Sequence, residues 1–247
     1  MLLGRLQLVA GSCLAVAFAL TPAGARADVA FREALSEAEA RAAPASRYAN
    51  LTDSATLELL RARRIPFEPT RAPLPGVRLP IRLTGTLQGV WIHSVLPPER
   101  RADSMFEILD GRLALALDDF ARVLAAHDVV EVVHFTMYRP PTETPPSPGA
   151  PQVRHPAGLA IDLGAVRFAD GEWLSVGVHW APLLGARTCG AQARRLDHRK
   201  GRELRSIICE AADLRIFHYA LTPHYDDPHA DHVHLEIRPG TSTFLVR

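Results

Sequence analysis

Residues 232–237 read His-Val-His-Leu-Glu-Ile. At a two-residue period His232, His234 and Glu236 project from one face of a β-strand, while Val233, Leu235 and Ile237 project from the other. The chain must therefore contain a sheet with an apolar face for a core and a face that carries titratable groups. Taken alone, the pattern also suits a solvent-exposed edge strand. A second histidine island, RHPAGLAIDL at 154–163, places His155 at a loop end and Asp162 inside an apolar stretch, with Gly158 between them to let the backbone bend tightly.

The surrounding chain fits the same picture. Leu113, Leu117, Phe120 and Leu124 recur at helical spacing and predict an amphipathic helix ending near His127. Residues 129–138 are dense in β-branched and aromatic side chains and predict a buried strand, stopped by the proline-rich run 140–151, which leaves Arg139 at a strand end. Further strands are predicted over 159–166, 173–178, 216–221 and 233–237, a short edge hairpin over 83–95, and a second helix through Leu204, Ile207, Ile208 and Ala211. Thr52 to Ser54 cap a helix that runs to Ala62 and stops before Pro66. Strands and helices do not alternate as βαβ units, so the expected class is α+β, a mostly antiparallel central sheet flanked by helices.

Composition excludes several classes. Of the 247 residues, 47% are hydrophobic and 22% charged, which suits a globular chain and neither disorder nor a multi-span membrane protein. Arg5, an apolar run over 6–20 and Ala25-Arg26-Ala27 read as a secretory signal peptide over 1–27, with no transmembrane anchor after its cleavage. Loss of Arg5 and Arg26 takes the formal charge from +1 to −1, so no basic field points to nucleic acid. Residues 28–50 read as a lead-in segment, 51–240 as one domain and 241–247 as a tail. Cys189 and Cys209 are the only cysteines beyond the leader, and in an oxidising compartment they read as one disulfide, two free thiols being the alternative.

A carboxylate within so apolar a strand as Ile161-Asp162-Leu163 is costly unless it is paired or holds a metal. Two histidines and an aspartate form an N/N/O set that suits Zn2+ and leaves a fourth position for water. A structural salt bridge is the alternative. The paired motifs HPAGLAID at 155–162 and HVH at 232–234 resemble the His-x6-Asp and His-x-His signature of the D-Ala-D-Ala and lysostaphin-type zinc peptidases. Within that group the segments LTPHYDDPHADHVHLEI at 221–237 and, more weakly, 59–85 resemble the extensin-like C-terminal domain. Val153 departs from the pattern, standing where related peptidases usually carry a serine.

The resemblance implies a D-Ala-D-Ala metallopeptidase-like fold in which His155, Asp162 and His234 bind zinc and His232 is a nearby general acid/base. It further implies that Arg139 faces substrate, and that His229 and Asp231 orient a ligand imidazole. A buried structural arginine and simple loop polarity are the alternatives for these last roles. The expected function is a secreted, periplasmic or extracellular peptidase acting on peptidoglycan or its peptides. Its rival is a non-catalytic, zinc-stabilised wall-binding domain.

Overall fold

A computed structural model describes residues 32–70, 72–141 and 154–247, with side chains from Leu35 onward. Residues 1–27, read above as a leader, most of the proline-rich run and Val153 lie outside these residues. The strands are β1 (Arg32–Ala34), β2 (Phe67–Pro69), β3 (Pro80–Leu83), β4 (Trp91–Ser94), β5 (Ile108–Asp110), β6 (Val129–His134), β7 (Ala160–Phe168), β8 (Trp173–Ser175), β9 (Tyr219–Leu221), β10 (Val233–Glu236) and β11 (Thr243–Val246). The α-helices are α1 (Glu37–Ala42), α2 (Pro44–Ala49), α3 (Asp53–Ala62), α4 (Pro98–Arg101), α5 (Gly111–Ala126), α6 (Val176–His179) and α7 (Arg199–Asp213).

The main sheet runs β1-β11-β9-β10-β7-β6-β4, with β8 paired to the end of β7; β2, β3 and β5 form a second, smaller sheet. Pairing is antiparallel except at β11/β9 and β6/β4. The class is therefore α+β. The His-x-His strand β10 lies inside the sheet between β9 and β7, and all four of its residues are buried, which removes the edge-strand alternative.

Alternation sorts the side chains of these strands. Val132, Ile161, Leu163, Val166, Val233 and Leu235 join one core with Leu113, Leu117, Phe120 and Leu124 of α5. Helices α2, α3 and α7 pack on α5 in turn. In β7 the alternation is broken once: Leu163 faces His134 and Ala165 faces Val133, so Gly164 is the extra residue of a bulge. A Cβ there would stand 2.8 Å from the Phe135 ring. The bulge keeps Leu163 and Val166 in the core while Asp162, before it, stays on the opposite face.

Several expectations are corrected. The hairpin over 83–95 does not form: β3 pairs with β2 and β5 in the small sheet, and β4 is an edge strand of the main sheet. Only Leu87 and Val90 bridge between them. Local turn signals fixed the reversal, but β3 found its partners in β2 and β5, and β4 in β6. The strand over 173–178 stops at Ser175, because the His179 ring takes the Ser175 N–H at 2.9 Å and a helical turn follows. Beyond His134 the chain still follows β7, through Phe135 N–H to Asp162 carbonyl (2.9 Å) and Asp162 N–H to Thr136 carbonyl (3.1 Å), but irregularly. At the other end, Thr243–Val246, read as tail, is strand β11. Cys189 and Cys209 form the disulfide, tying a loop to α7. Among the described residues no helix is long and apolar enough to cross a membrane.

His218 carries a consequence for acid stability. It is fully buried, its Nδ1 accepts the Arg238 N–H (2.9 Å) and its Nε2 donates to Ser46 (3.1 Å), so the neutral ring satisfies both. Burial pushes it down to about 4, from 6.5. The unfolded chain then takes up a proton that the folded one refuses, and this contribution, complete above pH 6.5, is lost progressively as pH falls to about 4. The loss is on the order of 3 kcal/mol. Urea unfolding of metal-free protein should show a steep decline over that window and a flatter one in His218→Gln; equal declines would remove His218 as the cause.

Candidate metal centre

Asp162 of β7 and His234 of β10 stand directly opposite one another across the sheet. The two sequence islands are thus cross-strand neighbours. His155 arrives from the turn before β7, where Gly158 adopts φ +64° and a Cβ would lie 2.7 Å from the Asp110 backbone nitrogen. This close approach is open to glycine alone, and it folds His155 back over Asp162. All three residues are buried.

Their polar atoms converge. His155 Nε2 lies 2.9 Å from Asp162 Oδ1 and 3.2 Å from His234 Nδ1, and His234 Nδ1 lies 2.9 Å from the same carboxylate oxygen. The outer nitrogens fix the tautomers. His155 Nδ1 faces the Met137 carbonyl (3.1 Å) and His234 Nε2 faces the Glu236 carboxylate (2.9 Å). Both partners only accept, so in the neutral rings the protons sit on those nitrogens and the inward nitrogens present lone pairs. The three atoms meet about one point, and the group could hold a metal ion.

The electrostatics agree. Burial opposes charge on Asp162, but the adjoining His155 and His234 rings outweigh it and hold the carboxyl far below the ordinary range. Burial keeps His155 below its usual value. Burial also opposes charge on His234, yet Asp162 and Glu236 prevail and raise it to about 9. Glu236, although buried, is kept below its usual value by His234 and Arg238.

Around the group opens a cleft of about 410 Å³, lined also by Arg139, Pro140, Pro156, Pro228, His229 and His232. The His232 side chain is 13% exposed; its Nε2 points to Asp162 Oδ1 at 3.5 Å and its Nδ1 donates to Asp231 at 2.8 Å. Arg139 is half-exposed at the mouth, its guanidinium 3.3 Å from Asp162 Oδ2. It is not buried. His229 bonds Asp226 and stands with its ring 5.0 Å from that of His232 and 5.9 Å from that of His234. The groups that meet the far nitrogens of His155 and His234 are Met137 and Glu236; Asp231 meets His232. Glu236 was visible as the third member of the His232/His234 row, whereas a backbone carbonyl such as Met137 leaves no signal in sequence.

In this α+β chain adjacent strands and the preceding turn bring together two buried histidines and an aspartate that could hold a metal ion. Residues 104–244 match the model of the family described as Extensin-like protein C-terminus, more than half of the chain, and the chain belongs to that family. The segment at 59–85 that resembles the family's opening region lies before this match. No curated protein and no solved structure matches the chain.

Proposed function

We propose that this protein is a secreted zinc-dependent peptidase that hydrolyses an amide bond in peptidoglycan stem peptides or cross-links. One observation carries the reading: three inward-facing donors, two nitrogens and one oxygen, all within 3.2 Å of one another at the floor of an open cleft. An N/N/O set matches catalytic zinc sites, which keep one coordination position open, and fits soft or all-oxygen metals less well. Zinc held by His155, Asp162 and His234 would supply Lewis acidity.

The remaining chemistry belongs to the chain. Asp231 accepts the Nδ1–H of His232, leaving the Nε2 lone pair directed to the cleft, so His232 takes a proton from the attacking water and returns it to the leaving amine. Arg139 offers its guanidinium at the mouth, to a peptide carboxylate or to the oxyanion that develops at the attacked carbonyl. The leader at 1–27, the disulfide and the likeness of the paired motifs to wall peptidases support a wall substrate outside the cytoplasm.

His232→Ala should keep its zinc and lose about 10²–10⁴-fold in turnover of purified muropeptides followed by mass spectrometry. Unchanged turnover would remove His232 from the mechanism. A zinc-loaded wild type that binds sacculi and cleaves none of their amides would make this a wall-binding domain.

A further inference from the structure

Glu236 is a fully buried carboxylate with no part in the proton transfers above. Its Oε2 accepts from two donors, His234 Nε2 at 2.9 Å and the backbone N–H of Arg154 at 3.2 Å, and its Oε1 receives Arg238 Nε. Arg154 immediately precedes His155, and its carbonyl receives the Leu159 N–H at 3.1 Å, closing the turn that carries that histidine. One carboxylate oxygen therefore joins the strand bearing His234 to the loop bearing His155, a connection that lies between residues 82 apart in sequence.

We propose that Glu236 is the positioning residue of the metal centre, holding the His234 ring with Nδ1 inward and fixing the approach of the His155 turn. The proposal rests on the zinc reading of the site. Without the carboxylate, nothing holds the His234 ring against a flip about Cβ–Cγ that puts Cδ2 in place of the inward Nδ1, and the Arg154 N–H loses its acceptor. An amide at 236 keeps the shape, but it has a single acceptor oxygen. Its NH2 would face a donor, either His234 Nε2 and Arg154 N–H or Arg238 Nε.

The test is zinc affinity by chelator competition on the metal-free chain beginning at Asp28, comparing wild type, Glu236→Ala and Glu236→Gln. The alanine variant should bind about 10–100-fold more weakly, with the glutamine variant between it and wild type. In the metal-free protein, hydrogen exchange at the Arg154 amide should be faster in the alanine variant. A purely structural role would lower the urea midpoint and leave zinc affinity of the folded chain unchanged; that result overturns the proposal while the zinc reading stands. If the alanine variant does not fold, the glutamine variant decides in the same way. A wild-type chain that takes up no zinc overturns the zinc reading, and the proposal with it.

Discussion

Alanine at His155, Asp162 or His234 should abolish stoichiometric zinc binding, whereas alanine at His232 should leave it intact. The argument is geometric. Each of the three contributes one of the atoms that meet within 3.2 Å, and no other His, Cys, Asp or Glu among the described residues completes such a group. Loss of a ligand should exceed the 10–100-fold, at most, that loss of an orienting partner costs. His232 Nε2, at 3.5 Å from Asp162 Oδ1 and on the solvent side, is outside the group. Elemental mass spectrometry on tag-free protein reads the result directly. Full zinc in all three ligand variants would refute the site.

The largest effect on stability is expected at Asp110. Its buried carboxylate accepts from Arg112 Nε (2.8 Å) and Nη2 (2.9 Å) and from the backbone N–H groups of Arg112 (3.0 Å), Leu79 (3.1 Å) and Arg78 (3.2 Å). It caps α5 and pairs a buried guanidinium at once. Asp110→Ala would strand that guanidinium and three N–H groups, a loss of about 3–5 kcal/mol. Total stabilities run to about 5–15 kcal/mol, so the variant should be marginal at room temperature. The Asp110 N–H also bonds the Gly158 carbonyl at 2.9 Å, in the turn that delivers His155. Metal uptake should then fall in step with the folded fraction. A urea midpoint close to wild type would show that the pair contributes little.

Much of this was legible in the residues. Period two in 232–237 demanded a two-faced strand, the Leu113/Leu117/Phe120/Leu124 spacing marked α5, and Gly158 between His155 and Asp162 marked the turn. The stops were less legible. Strand 129–138 turns irregular past His134, at the bulge in β7, while still bonding Asp162, and 173–178 ends early because the His179 ring takes the Ser175 N–H. The hairpin over 83–95 failed for a related reason: turn residues specify a reversal, and the partner of each strand is chosen by which apolar face must be buried.

The sequence by itself determined the conformation of the histidine strand, the α+β class and the residue types able to hold a metal, because periodicity and local sterics are properties of neighbours along the chain. Asp110 gave no such signal, although it anchors both α5 and the His155 turn. Tertiary structure alone decided that β10 lies within the sheet and not at its edge, and that His234 faces Asp162 in register. It also decided that the Met137 carbonyl meets the outer nitrogen of His155. These are long-range pairings, set by closing the core between β7, β10 and α5, and no local pattern encodes them.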